Sequence, residues 1–391
     1  MTPLVLFVMQ PEPGHTMPTI SLAGELISLG IGVLYLTSSA IAPYLRYRGF
    51  NALSLDAEDT FPSNSSSVGY DIEQSGRSFW RKFGGRADRA ELLRSTIAAL
   101  LHLYPIKAVV LDDLFYRKGN LYSSSRIDGI PILRVLTSLP RWEELEIAPE
   151  ASRWVLCPPQ FELDCFLKAL PRTHFAEPSI DWGRPEIPLP QSRVRTRRPL
   201  ILYSAGTQSM VHVNPEGRLN VVLEAAAMLS DCDFIVATGR RNHAFDRSRS
   251  SPNVVLATQI PQLALLQEAS LLITHGGLGS IKEAICCNVP VLALPVVFDQ
   301  PYNAMRVRKK RLGEAIYPER LTGGTLRDGV VGILENVSVS RSVSSMREAF
   351  LDAARQRSFL KAILQHVRPS ATDGPGVNRS SKSAAPPRPL L

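Results

Sequence analysis

The feature that most limits what this chain can become is a repeated pattern of short apolar runs, each closed by a Gly- or Pro-containing turn. Leu4 to Met9 is the first run, and Pro11, Pro13 and Gly14 form its turn. Ile20, Leu22, Ala23, Leu26 and Ile27 then recur at helical spacing, and Gly30 leads into a second apolar run from Ile31 to Thr37. That order is a βαβ unit. Parallel strands are covered by helices on both faces, so they read as continuously apolar, and ligands are expected at their carboxyl ends.

Ala108 to Leu111 and Pro131 to Leu136 read as further strands of the same half, with a Ser-rich loop from Ser63 to Ser78 between. From Trp182 to Pro199 the composition shifts to Pro, Arg and Ser without apolar periodicity, as an interdomain linker does. A second series follows. Strands are expected at Leu200 to Ser204, Phe234 to Thr238, Val254 to Ala257, Leu271 to Thr274 and Val291 to Leu294. Helices are expected at Leu219 to Leu229, Leu263 to Glu268 and Gly279 to Cys287. At 391 residues the chain exceeds the ~250–300 at which one core stops growing. The expected division is therefore a Rossmann-like domain over 1–185, a linker over 186–198 and a second such domain over 199–344. A terminal helix over 345–367 and a disordered Pro- and Ser-rich tail over 368–391 complete it.

Composition removes several function classes. The net charge of +8 suits an anionic ligand, yet Lys and Arg are scattered and no aromatic residues interleave with a basic stripe, so nucleic acid is not an expected partner. The five cysteines are odd in number and form no CxxC pair, which fits reduced thiols and no structural metal. Cys286-Cys287 reads as packed core, and the basic run Arg306 to Arg311 as a solvated helix C-terminus. Met1 to Met9 lacks a basic n-region and reads as a first strand. Val289 to Phe298 is far shorter than the ~20 residues of a bilayer span and contains Pro290 and Pro295. The expectation is a soluble, cytoplasmic protein, with peripheral contact to the inner membrane left open.

The chemistry concentrates between Ile260 and Asn303. A strand delivers His275 to its carboxyl end, Gly276, Gly277 and Gly279 let the backbone approach a ligand, and a helix begins near Ser280. Such a helix start presents free N–H groups and partial positive charge to a phosphate. Glu283, one turn on, can accept hydrogen bonds from a ribose, and Asp299 and Gln300 follow the next strand with groups suited to sugar hydroxyls.

This series resembles the donor-binding signature of the family 1 glycosyltransferases, the UDP-glycosyltransferase superfamily with the GT-B fold. The resemblance is carried by Pro261-Gln262, Thr274-His275-Gly276-Gly277, Gly279-Ser280, Glu283, Val289-Pro290, Pro295, Asp299-Gln300 and Asn303. The wording Leu292 to Pro301 is particularly similar to bacterial carotenoid and macrolide glycosyltransferases. The resemblance implies that Ile260 and Gln262 lie near the base and ribose, that His275 and Ser280 hold the diphosphate with the glycines, that Glu283 takes the ribose hydroxyls, and that Asp299 and Gln300 read the sugar. Two positions depart from it. Plant members place a Trp where this chain has Gln259, and the usual Asn before the Ser is Gly279.

Two more segments resemble the family. Leu200 to Gln208 is similar to the strand and turn that open the donor domain, which implies phosphate or sugar contacts for Ser204, Gly206 and Thr207. Pro13 to Ala23 is similar to the family's GHxxPxxxLA opening, which implies that His15, in the first strand-to-helix turn, is the catalytic base. An imidazole titrating near neutrality suits that work and needs a carboxylate to fix its tautomer. Val109 to Phe115 ends a strand in two Asp residues, and the family's D-x-F placement favours Asp113 over Asp112.

The implied activity is metal-independent inverting transfer of a hexosyl group from a nucleotide sugar, with UDP-sugars expected, to a hydroxyl of a small lipophilic acceptor. No cofactor beyond the nucleotide-sugar co-substrate is expected. The rival readings are a lipid-intermediate glycosyltransferase at the membrane surface and a sugar-nucleotide-binding protein without catalysis. A nicotinamide oxidoreductase is a further rival, disfavoured because no GxGxxG follows the first strand.

Overall fold

Two parallel sheets, one in each half of the chain, carry the fold. The computed structural model describes residues 2–54, 86–115, 125–139, 152–169, 172–188, 197–206, 215–238 and 251–368. The expected Ser-rich loop, the expected tail beyond Arg368 and Thr207 lie outside the described residues.

The first sheet is built from β1 (Leu4–Val8), β2 (Gly32–Thr37), β3 (Asn51–Ser54), β4 (Ile106–Asp112), β5 (Arg126–Ile127), β6 (Ile130–Leu136), β7 (Arg153–Val155) and β8 (Thr173–Phe175). Its order is β3-β2-β1-β4-β6-β7-β8, with the short β5 antiparallel to β6. The second sheet contains β9 (Leu200–Ser204), β10 (Asp233–Ala237), β11 (Val254–Ala257), β12 (Leu271–Thr274), β13 (Val291–Ala293) and β14 (Gly313–Ala315), in the order β11-β10-β9-β12-β13-β14. Each sheet therefore reverses its winding once, between β1 and β4 in the first and between β9 and β12 in the second. Those reversals open crevices at the carboxyl ends of the strands. His15 follows β1, Asp112 ends β4, Gly206 follows β9 and His275 follows β12, so the sequence-derived candidates line both crevices.

The helices in chain order are α1 (Pro13–Ser28), α2 (Ala42–Tyr47), α3 (Arg86–Leu103), α4 (Asp164–Ala169), α5 (Pro215–Ala227), α6 (Gln262–Leu266), α7 (Leu278–Cys286), α8 (Gln300–Lys309), α9 (Gly323–Leu334), α10 (Val337–Gln356) and α11 (Ser358–Val367). Helix α1 begins earlier than the apolar spacing indicated. Pro13 occupies its first turn, where the missing N–H costs nothing, and His15 thereby stands on the helix rather than in a turn before it.

The expected single helix over 345–367 is a correction. Asn336 caps α10 by accepting the Ser338 N–H at 3.0 Å, so the helix begins at Val337, eight residues before that expected start. The helix then breaks at Arg357, whose φ of 49° is left-handed. Apolar periodicity runs through the break, so only the backbone turn shows it. Helix α11 leaves the second half and buries Phe359, Leu360, Ile363 and Val367 among Ile20, Ala23 and Val110 of the first. Glu177 receives its start, accepting the N–H groups of Phe359 and Leu360 at 3.0 Å each. A carboxylate at a helix start satisfies two orphan donors and meets the positive end of the dipole. Replacing Glu177 with Ala is expected to lower stability by about 1–2 kcal/mol in urea unfolding.

Packing also crosses the expected boundary near residue 185. Leu136, Leu139, Val155, Cys157, Phe161 and Ile180 lie in the same apolar core as the second sheet. Two buried cations tie the halves further. Lys282 of α7 donates to the carbonyl oxygens of Leu156, at 3.0 Å, and Pro178, at 2.5 Å. Arg306 of α8 is fully buried, with Nε 2.7 Å and Nη2 2.9 Å from the two oxygens of Glu162. Its guanidinium also lies over the Phe166 ring, 4.9 Å from the centroid. The reading of Arg306 to Arg311 as a wholly solvated basic run is thus corrected at Arg306. That residue falls on the face of α8 that also buries Asn303, Ala304 and Val307.

Candidate active site

On the first-half side of the cleft, His15 Nδ1 lies 2.8 Å from Asp112 Oδ2 and 3.0 Å from Thr137 Oγ1. Asp112 is almost fully buried and also accepts the Leu114 N–H at 3.0 Å and the Gln10 N–H at 3.4 Å. An acidic oxygen on Nδ1 places the proton there and leaves Nε2 as the ring's acceptor, the tautomer a general base needs. Burial works against charge on this imidazole. The Asp112 carboxylate, with Glu12 and Asp299 beyond it, outweighs that burial, and the His15 pKa stands above its ordinary value. Asp299 belongs to the second half, so the two halves meet electrostatically at His15.

The expected choice of Asp113 as the partner is corrected. Asp113 is buried and paired with Arg134 Nη2. Successive residues at a strand end face opposite sides of the sheet, so only one of the two can reach the crevice. The aligned element is Asp112, while Phe115 of the D-x-F pattern packs into the core beneath β4.

Across the cleft, His275 follows β12 and its ring lies between two glycines. A Cβ on Gly206 would fall 2.2 Å from its Cε1, and one on Gly277 2.4 Å from its Nε2. Thr274 Oγ1 is 3.2 Å from its Nδ1. Gly276 has φ 87° and Gly206 φ 81°, conformations that side-chain-bearing residues rarely adopt. Gly277 is the N-cap of α7, whose first N–H groups lack intrahelical acceptors, and the space beside Gly279 is open. Together these form an anion seat of backbone donors with an imidazole beside it. Gly277 itself has an ordinary φ of −64°, so Gly277→Ala tests the seat without backbone strain. It is expected to weaken nucleoside diphosphate binding roughly tenfold in calorimetry, the size of one charge-assisted hydrogen bond, with little change in melting temperature.

Glu283 stands one turn into α7, and its carboxylate is already engaged. Arg184 meets it with two bonds, Nη1 to Oε1 at 2.5 Å and Nη2 to Oε2 at 3.1 Å, and Gln262 Nε2 donates to Oε2 at 2.7 Å. Gln262 also approaches Ser280 Oγ at 3.4 Å. Gln262, Ser280 and Glu283 are thus brought together, and Ile260 packs beside the core below them. Ser204 is buried at the end of β9.

The pair expected to read the sugar, Asp299 and Gln300, separates. Asp299 accepts from Asn303 Nδ2 at 2.9 Å, and Asn303 also donates to the Gly276 carbonyl at 3.0 Å, linking the two loops. Burial raises the Asp299 pKa. Gln300 differs from expectation. Its Oε1 accepts the N–H groups of Val296 and Val297 at 2.9 and 3.2 Å, so the carbonyl end of the amide holds its own loop rather than facing a ligand.

Three residues had no sequence signal. Arg184 lies in a stretch read as linker. Thr137 merely follows a strand. Phe298, beside Asp299, is 59% exposed with φ 59°, a strained and uncovered aromatic whose conformation is invisible in the sequence. Among the described residues no cluster of three or more His, Cys, Asp or Glu side chains is arranged to hold a metal, and no helix is long and apolar enough to cross a membrane.

Comparison with known proteins agrees with this architecture. Residues 220–358 match the family described as Erythromycin biosynthesis protein CIII-like, C-terminal domain. The NDP-glycosyltransferase YjiC of Bacillus subtilis is 22% identical over 92% of this chain and 96% of its own. UDP-glucuronosyltransferase 3A1 of Xenopus laevis is 39% identical over a shorter stretch, 24% of this chain and 18% of that protein. Among solved structures, the glycosyltransferase of kitacinnamycin superposes with a TM-score of 0.72 at 22% identity, over 93% of this chain and 99% of that one. The glycosyltransferase VinC, solved with DTDP, gives 0.70 at 16% identity over 93% and 99%. With two Rossmann-like halves facing one cleft, an anion seat at α7 and relatives of this kind along its length, the chain is a glycosyltransferase of the GT-B fold, similar to the family 1 enzymes.

Proposed function

We propose that this glycosyltransferase moves a hexosyl group, with inversion, from a nucleoside diphosphate sugar held by the second half to a hydroxyl of a small lipophilic acceptor held by the first. The observation that carries the reading is the His15–Asp112 pair standing across the cleft from the His275 seat. His15 Nε2 takes the proton of the acceptor hydroxyl as its oxygen bonds to the anomeric carbon. The bond from that carbon to the diphosphate oxygen breaks on the opposite face, and the nucleoside diphosphate leaves with the electron pair. Its growing charge falls on His275, Ser280 and the first N–H groups of α7, donors already in place before charge develops. No metal is assigned a part, because these groups supply the positive potential.

Asp112 holds the Nδ1–H and supports the imidazolium formed during transfer. Asp299 is assigned to a sugar hydroxyl. The preserved His15–Asp112 pair favours an active enzyme over a binding protein that has lost catalysis. The test is a mass-spectrometric panel of UDP- and TDP-sugars against lipophilic hydroxylated acceptors, polyketides and carotenoids first. Relatives carrying UDP-glucuronosyltransferase names and a neighbour solved with DTDP motivate those donors. A glycosylated product with inverted anomeric configuration is expected. Neither transfer nor hydrolysis of any donor in the panel would end the catalytic reading.

A further inference from the structure

Lys282 is a buried cation on the helix that carries the anion seat, and it has no carboxylate of its own. It lies in the second turn of α7, 2% exposed, and its Nζ donates to the carbonyl oxygens of Leu156 at 3.0 Å and Pro178 at 2.5 Å. Both acceptors belong to the first half and are dipoles rather than charges. The acids around it are committed elsewhere: Glu283, next in the chain, to Arg184, and Glu162 to Arg306. The remaining groups are two buried thiols, Cys157 of the first half and Cys286 of α7, and Arg347 of α10, which donates to the Cys286 carbonyl at 3.0 Å. Burial pushes the pKa of each thiol up to about 12, so at neutral pH neither brings negative charge to Lys282.

An ammonium taken out of water without a counter-charge is costly, and two carbonyls offset only part of that cost. The cost shows in the side chain itself: burial lowers the Lys282 pKa, and neither Glu283 nor the two cysteines restore it. Long helical side chains lean back over the preceding turn. For Lys282 that turn is Leu278 to Ile281, whose free N–H groups form the seat, so fixed positive charge lies behind the donors that face an anion. We propose that Lys282 is a positioning charge for that seat: its buried ammonium, lacking a carboxylate, takes the diphosphate beyond the first turn of α7 as its counter-charge. At an effective dielectric of about 20, a unit charge about 10 Å away changes affinity roughly tenfold. The attraction is reciprocal. A bound diphosphate holds the Lys282 proton more firmly, so affinity is full while Lys282 is protonated and declines as pH rises through the pKa of the unliganded site. This rests on the reading of the start of α7 as the diphosphate seat, and needs neither contact between Lys282 and the ligand nor any particular nucleoside.

The probes are inorganic pyrophosphate and UDP, each titrated by calorimetry into the wild-type chain between about pH 7 and 10, the window below the ordinary ~10.4 of a lysine. Both are expected to bind roughly tenfold less tightly across the window and to take up protons, read as a binding heat that varies with the ionisation enthalpy of the buffer. Lys282→Arg, whose charge persists throughout, should bind as tightly as wild type at neutral pH and lose both the decline and the proton uptake. Lys282→Met keeps the stem, and should bind roughly tenfold more weakly at neutral pH with the same loss of pH dependence. His15→Ala should leave the decline in place, which separates Lys282 from the imidazole across the cleft. A role confined to tying the halves together predicts the same pH dependence with and without the lysine, and that result overturns the inference. Wild-type affinity that is flat across the window overturns it without recourse to a variant. If the wild type binds neither probe at any pH, the seat reading itself fails and this inference falls with it.

Discussion

His15→Ala is expected to lower kcat by roughly 10²–10⁴-fold, the range a positioned general base contributes, with nucleoside diphosphate affinity little changed. The separation follows from geometry: His15 and Asp112 stand on the first sheet, whereas the diphosphate seat is built by α7 and the glycines around His275. The pH profile carries a second signature. The base must be neutral to accept a proton, and its pKa is held above the ordinary value, so kcat/KM should rise with pH through a midpoint above the ~6.5 of a free imidazole. Asp112→Asn removes the charge that raises that pKa. It should move the midpoint down while reducing the plateau rate, because the tautomer loses its anchor. Asp113→Asn should leave the midpoint in place, since Asp113 faces Arg134. A His15→Ala enzyme within a few-fold of wild type would remove His15 from the mechanism.

The second large effect is on stability. Glu162 and Arg306 are fully buried and joined by two bonds across the two halves. Removing one partner leaves an uncompensated charge in the interior, and single replacements such as Glu162→Gln or Arg306→Met are expected to cost about 3–5 kcal/mol in urea unfolding. The double replacement Glu162→Met with Arg306→Met should cost distinctly less than either single change, because no orphaned charge remains. Equal losses in the singles and the double would mean that packing rather than charge governs the joint. Because the pair links β7's following segment to α8, the single variants should also lose the cooperativity of one unfolding transition before they lose the secondary structure of either half.

How much of this was legible follows from what each signal encodes. The βαβ series was readable because strands buried on both faces carry runs of apolar residues, and β1, β2, β4, β6, β9, β10, β12 and β13 each hold such a run, interrupted or bounded by polar residues only at positions such as Lys107, Asp112, Arg134 and Asp233. Strands β3, β7, β8 and β14 were not read. They are three or four residues long, and contain Asn51, Arg153, His174 and Glu314. Pairing with a neighbour rather than apolar content makes them strands. The segment from Ile260 to Asn303 was legible because glycines, a histidine and an acid at fixed offsets reflect local backbone demands at one helix start.

What the sequence by itself determined is thus everything held within one supersecondary unit: two Rossmann-like halves, a histidine-bearing opening after β1 and a glycine-rich helix start at α7. Tertiary structure alone decided the rest. The choice of Asp112 over Asp113 depends on which way a strand end faces the crevice. The seating of α11 on the first half depends on one left-handed residue, Arg357, and on Glu177 receiving the helix start. The placement of Arg184 on Glu283 and Arg306 on Glu162 joins positions 99 and 144 residues apart. Such pairings leave no periodicity in the chain, since charge partners are selected by where packing buries them, and burial is a property of the assembled sheets.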